Sequence, residues 1–289
     1  MNLLVWMQEQ YDQFSPTEQV LADYLLKHAH QAANLDAKTI LKDCSISRAA
    51  LYRFCTHCKV SGLQALLLRI SQDASSWTEP SESLNFSYPF DQSDSLGQVA
   101  QRLQEDSAQS VQMTHSLLDV EDLAAAAQKL RNAKRILVFT SASNLFAAYS
   151  FRFQMAEIGK TVLVPADEYE QRLLAAQIGP DDFTIVITMA ARAQNASFLL
   201  RHLKTQPYPW LLISSSVLTK AKTGAAFQLL LPSAEDHAAR ISSFSTRASL
   251  NWLLDVLFAA CYQLDYQQNR LHKAKVYDTI SERTNPGSQ

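Results

Sequence analysis

Glycine is scarce in this sequence, with six in 289 residues, and cysteine numbers only four. No apolar run approaches the ~18 residues that a membrane-crossing helix needs. The net charge is −2, so neither sign dominates. Each shortage excludes something. Four cysteines (Cys44, Cys55, Cys58 and Cys261) do not make a disulfide framework. Cys55-Thr56-His57-Cys58 has the spacing of half a zinc site or a redox pair, but no second pair follows it. Against both stand buried thiols at a helix end, which are favoured, so no metal and no cofactor are expected. The N-terminus lacks a basic stretch before an apolar one, so no signal peptide is expected. A soluble cytoplasmic protein with no membrane partner is the expectation. A near-neutral chain carries no global nucleic-acid signature.

The charge is unevenly spread, however. Lys38, Lys42, Arg48, Arg53, Lys59 and Arg69 face a single acid, Asp43, between residues 38 and 69. A basic stripe of this kind suits phosphate contacts, although a solvated face would look the same. Within it, Thr39–Phe54 has the pattern of two short helices and a tight turn. Ile40 and Leu41 give the first helix an apolar face, Asp43-Cys44-Ser45 makes the turn, and Ile46 fills the angle. Ser47 is placed to cap the second helix. Leu51 and Phe54 then face inward, leaving Arg48, Ala49, Tyr52 and Arg53 outward. Small, cationic and aromatic residues on one helix face suit the second helix of a helix-turn-helix. Arg53 has an alternative, a pairing with Asp43.

Helical patterns flank this stretch. Leu3, Leu4, Trp6, Met7 and Tyr11 mark a helix over 3–13. Ser15-Pro16-Thr17-Glu18 is a capping box that opens another. Residues 28–35 are expected as a turn, and 63–70 as a last helix. A serine-rich, proline-interrupted stretch follows and has the composition of a linker. Helices are expected at 96–116 and 120–132. After them short apolar runs alternate with helical patterns: strands at 135–140, 161–164, 183–189, 210–214 and 227–231, with helices at 144–158, 168–178, 192–205 and about 240–264. Repeated β-α-β implies a parallel sheet covered on both faces. Beyond Asp265 the chain is polar and weakly patterned.

Ligands in such sheets bind beyond the carboxyl ends of the strands. Two loops qualify, Thr140-Ser141-Ala142-Ser143-Asn144 and Thr188-Met189-Ala190-Ala191-Arg192. Their hydroxyls and backbone N–H groups could hold a phosphate, and Arg192 could add charge.

The order of these elements resembles the RpiR family of bacterial transcription regulators, in which a helix-turn-helix domain precedes a sugar isomerase (SIS) domain. The resemblance runs through Phe14-Ser15-Pro16-Thr17-Glu18, Ala22-Asp23-Tyr24-Leu25, Ile46-Ser47-Arg48-Ala49 and Arg53-Phe54-Cys55. It continues through Lys134-Arg135-Ile136, Glu157-Ile158-Gly159-Lys160, Asp181-Asp182, and Ser245-Thr246-Arg247 with Asp255. It implies an all-α domain over 1–75, a linker over 76–95, an α/β SIS-like domain with a five-stranded parallel sheet over 96–265, and a polar tail over 266–289. It also implies a non-enzymatic regulator of carbohydrate genes that binds double-stranded DNA as a homodimer or dimer of dimers. Lys42, Ser47, Arg48, Ala49, Tyr52 and Arg53 would face DNA. A phosphosugar effector would meet Ser141, Ser143, Asn144, Thr188, Arg192 and Glu235.

The departures from the family pattern lie in the loops. The first usually resembles G-x-G-x-S and the second S-x-S-G-x-T, and every glycine is missing here. Glycine lets backbone approach a phosphate and adopt positive φ. A changed effector, or none, therefore stands beside the phosphosugar. In the DNA domain, Ser45 and Lys59 likewise occupy positions that are often glycine. The competing function is a phosphosugar isomerase, with Glu235 and His237 as acid–base groups; both are also ordinary residues at a helix start.

Overall fold

The computed structural model describes residues 3–29, 32, 35–74 and 85–283. Residues 75–84, which include nearly half of the expected linker, lie outside them, as do 1–2, 284–289 and part of the expected turn over 28–35. The chain divides into two compact units, Met1–Leu117 and Leu118–Gln289.

Among its described residues the first unit is all-helical: α1 (Leu3–Glu9), α2 (Pro16–Lys27), α3 (Ala37–Asp43), α4 (Arg48–His57), α5 (Leu63–Ala74) and α6 (Leu96–Ser116). The expected single helix over 3–13 is interrupted, with a 3-10 turn at Tyr11–Gln13. The capping box forms as the sequence implies. The Glu18 carboxylate accepts from Ser15 N at 2.9 Å and Ser15 Oγ at 2.7 Å. A second box, Ser95 with Gln98, opens α6. Leu4, Met7, Leu21, Leu25, Ile40, Phe54, Leu66 and Ile70 are fully buried and form the core. Leu3 N donates to Asp73 at 2.7 Å, tying α1 to the end of α5.

The second unit is a three-layer α/β structure. Its sheet is β1 (Arg135–Phe139), β2 (Thr161–Leu163), β3 (Asp182–Ile187), β4 (Trp210–Ser214) and β5 (Phe227–Leu230). All pairings are parallel, in the order β2-β1-β3-β4-β5. Alternate residues of the apolar runs go to opposite faces. Ile136, Val138, Phe183, Ile185, Leu211 and Ile213 pack under α7 (Val120–Asn132), α8 (Asn144–Glu157) and α12 (Phe244–Leu264). Leu137, Phe139, Val186, Trp210 and Leu212 pack on the other side, under α9 (Glu168–Ala175) and α10 (Gln194–Lys204).

Two helices were not expected. One is the single turn α11 (Lys220–Thr223), and the other is α13 (Tyr266–Arg283). The latter replaces the weakly structured tail. It has no glycine or proline to stop it, and it is mostly solvent-exposed, so no apolar period betrays it. Asn269 Nδ2 bonds Tyr262 O at 3.0 Å and Lys273 bonds Glu157 at 2.8 Å.

Candidate functional site

α3 and α4 build the expected helix-turn-helix. Asp36 caps α3, accepting from Thr39 N at 2.7 Å. The chain turns at Ser45, whose φ is +52°, and Ile46 N returns to Leu41 O. Ser47 Oγ accepts from Ala50 N at 3.2 Å and so starts α4. Ala50, Leu51, Phe54 and Cys55 are buried, while Arg48, Ala49, Tyr52 and Arg53 are exposed, as is Lys42 on α3. Tyr52 is 63% exposed. Asp43 accepts the Tyr24 hydroxyl at 3.0 Å rather than pairing with Arg53. Neither Arg48 nor Arg53 makes an ion pair among the described residues.

A contact unseen in the sequence orients α4. His57 Nδ1 lies 3.1 Å from Glu18 Oε1, with its ring edge-on to Trp6 and Phe14. Burial pushes the Glu18 carboxyl up, but the bonds from Ser15 and His57 outweigh it and hold it below its ordinary value. Beyond the end of α4 the chain turns at Lys59, with φ +58°. Cys44, Cys55 and Cys58 are buried free thiols, and burial pushes Cys58 up to about 12. Among the described residues, no group of three or more His, Cys, Asp or Glu side chains could hold a metal ion.

At the carboxyl edge of the sheet, the two loops keep a backbone that the missing glycines would favour. Ala142 has φ +54° and Ala191 φ +52°. Ser141 and Ser143 are exposed, Asn144 is half-buried at the start of α8, and Ser143 makes no capping bond to that helix. Thr188 Oγ1 accepts from Ala191 N at 3.2 Å and thereby shapes the second loop.

Buried polar residues hold both loops from behind. Gln171 Nε2 donates to Thr140 O at 2.6 Å and to Pro165 O at 3.0 Å. Its Oε1 accepts from Asn195 Nδ2 at 2.7 Å, and Asn195 Oδ1 accepts from Arg172 Nε at 2.9 Å. Ser197 and Ser215 donate to the carbonyls of Ala191 and Met189. A polar residue on a helix gives no sign in sequence that it faces inward, and so this network was missed.

The remaining candidates divide. Arg192 is exposed, close enough to Asp236 and His237 to influence both. The backbone N–H groups of Ala238 and Ala239 are the main cause of the lowered Asp236 value. His237 is lowered by its own desolvation and then by Arg240 and Arg192. Glu235 turns the other way. Its side chain is 1% exposed and accepts from Arg240 Nη1 (2.7 Å), Ser245 N (2.6 Å) and Thr246 Oγ1 (2.6 Å) at the start of α12. A carboxylate at a helix N-terminus is favoured by the helix dipole. Its lone pairs are thus taken up in fastening the loop that precedes α12.

A helix-turn-helix with an outward cationic face, followed on one chain by a parallel α/β unit, defines a DNA-binding transcriptional regulator. Models of known families agree at both ends: the helix-turn-helix domain of the rpiR family matches residues 1–77, and the SIS domain matches 129–257. The chain belongs to the rpiR family of helix-turn-helix transcriptional regulators that carry an SIS domain. It is 23% identical over 273 residues to the uncharacterized HTH-type transcriptional regulator YfhH of Escherichia coli K12, spanning 92% of this chain and 94% of that one. Among solved structures, the NanR protein of Vibrio vulnificus, complexed with ManNAc-6P, shares the fold. Its TM-score is 0.58 at 16% identity, over 97% of this chain and 98% of NanR. The sugar isomerase domain of an RpiR transcription factor from Sphaerobacter thermophilus aligns at TM-score 0.54 and 13% identity, over 63% of this chain and 99% of that one.

Proposed function

We propose that this chain is a cytoplasmic, homodimeric regulator of carbohydrate genes that binds an operator through α4 and answers to a phosphosugar. In this reading residues 1–75 bind DNA, 76–95 link, and 96–265 sense and dimerise. The observation that carries it is the outer face of α4. Arg48 and Arg53 are exposed and have no ion-pair partner among the described residues, so they are available to phosphates or guanine edges. Ala49 leaves room for a base edge, and Tyr52 extends from the same face. Ser47 accepts from Ala50 N, which leaves its hydroxyl proton for a phosphate. Lys42 adds a phosphate contact from α3.

The effector's phosphate would lie at the start of α8, met by Ser141, Ser143 and Asn144, with Thr188 shaping the facing loop and Arg192 supplying charge. The complex of NanR with ManNAc-6P supports a phosphosugar in this fold. Glu235 is left out of the ligand set because its oxygens are engaged at α12. The same engagement argues against an isomerase, for which Glu235 would have to move protons.

The test is a gel shift and footprint on DNA upstream of the protein's own gene, with and without a panel of sugar phosphates. Retardation at low salt that one phosphosugar relieves or strengthens is expected, because an effector acts by its different affinity for two states. Arg192→Ala should weaken that response and leave DNA binding intact. Failure to retard this DNA at low salt, or turnover of an aldose or ketose phosphate, would overturn the proposal.

A further inference from the structure

α8 carries large apolar residues on its exposed side as well as its buried one. Ala147, Ala148, Phe151 and Met155 are buried in the core, whereas Phe146 and Phe153 are 76% and 69% exposed. The two phenylalanines are seven residues apart and share one face. Two exposed phenylalanines on one helix face, opposite a buried apolar face, suit a contact with a partner. Between α8 and α12 lies a cavity of about 360 Å³, lined by Phe146, Ser150 and Gln154 on one side and Arg247, Asn251 and Asp255 on the other.

The α12 residues recur every four positions, so each step is roughly 6 Å along the helix. The stripe therefore reads positive, neutral, negative. Arg247, Asn251 and Asp255 are all exposed. Arg247 lies 5.6 Å from the Phe244 ring and meets no carboxylate among the described residues. Asp255 accepts only a neutral donor there, Gln154 Nε2 at 2.7 Å. Gln154 Oε1 is buried without a hydrogen-bond partner among the described residues.

We propose that this face is where two copies of the chain pair about a two-fold axis passing near Asn251. The stripe is its own complement. Turned by the two-fold, Arg247 of each copy faces Asp255 of the other, and the Asn251 amides meet at the axis. Phe146 and Phe153 supply the apolar part of the contact. This inference rests on the dimeric reading above and assigns it a surface.

Sedimentation equilibrium on the full chain tests it, with thermal melts to confirm that each variant folds. Arg247→Asp and Asp255→Arg should each weaken the dimer about tenfold or more. The double swap should restore it. So should an equimolar mixture of the two single variants, because every cross-axis pair is then again of opposite sign. Phe153→Ser, at an exposed position, should also weaken it. A wild-type dimer unaffected by the single swaps would overturn this surface and leave a dimeric regulator standing. Weakening that neither the mixture nor the double swap repairs would overturn the two-fold pairing. A wild-type monomer that still footprints its operator would overturn both this surface and the dimer, but not DNA binding.

Discussion

Among the described residues, four other than glycine hold left-handed backbone: Ser45, Lys59, Ala142 and Ala191. The first two bracket α4, and the others shape the loops at the carboxyl edge of the sheet. An L-residue in this region costs about 1–2 kcal/mol through its Cβ. Glycine removes that cost but loses roughly 0.5–1 kcal/mol more in chain entropy on folding. The first effect is the larger, so Ala142→Gly and Ala191→Gly should each stabilise the protein by about 0.5–1 kcal/mol in urea unfolding. Loss of stability in either variant would show that its alanine sits there without strain. Ala142 and Ala191 therefore hold turns of a kind that glycine would favour, each with a methyl group at the bend. Residue identity alone shows the missing glycines; only the φ values show that the turns they favoured persist.

At the level of elements, helix spacing and apolar runs made most of the architecture legible. α6, α7 and β4 lie where the sequence places them, and the other strands differ by a residue or two at their ends. Strand length was readable because both faces of the sheet are buried. α13 was not, because an exposed helix has no apolar period to show. The Gln171–Asn195 and Glu18–His57 contacts were hidden too, because each joins residues more than twenty positions apart. Lys134-Arg135 and Asp181-Asp182 fall between these cases. They were visible as a resemblance, but their role emerges only when β1 and β3 pair. Lys134 Nζ then meets Asp181 at 2.6 Å, and Arg135 holds Asp182 through two bonds of 2.7–2.8 Å. The Arg135 bonds hold the Asp182 carboxyl below its ordinary value against the opposing effect of burial, with help from Gly179 N–H. A depressed carboxyl contributes stability above its unfolded pKa of about 4, and this is lost as pH falls through its lower folded value. Asp182 is nearly buried but Arg135 is 42% exposed, so solvent screening keeps the contribution to about 1–2 kcal/mol. Asp182→Asn should therefore be less stable than wild type at neutral pH, and the gap should close below about pH 4, as urea unfolding across pH will show. A gap independent of pH would mean that packing, not the ion pair, is what the substitution removes.

For the whole molecule, a net charge of −2 gives no general attraction to DNA, so affinity must come from the local basic stretch around α4. One such helix reaches only a few base pairs, so the proposed dimer would place a second copy on a second half-site and raise operator affinity. The pairing surface and the DNA-facing surface consequently leave different signatures. Arg48→Ala would remove a proposed contact made once per copy. It should weaken binding to a single half-site and to the full operator, by about 1–3 kcal/mol per half-site if the contact is to a base. Asp255→Arg touches no proposed DNA contact. It should leave half-site binding unchanged and reduce full-operator binding towards that of independent copies, because the gain from tethering two heads is lost. Adding an equal amount of Arg247→Asp protein should recover the full-operator affinity, since heterodimers regain opposite charges at both pairs. Titrations on half-site and full-site duplexes at one fixed salt concentration measure all three. If Asp255→Arg weakened half-site binding as much as full-site binding, the α8–α12 face would be acting on the DNA-binding unit itself rather than through pairing.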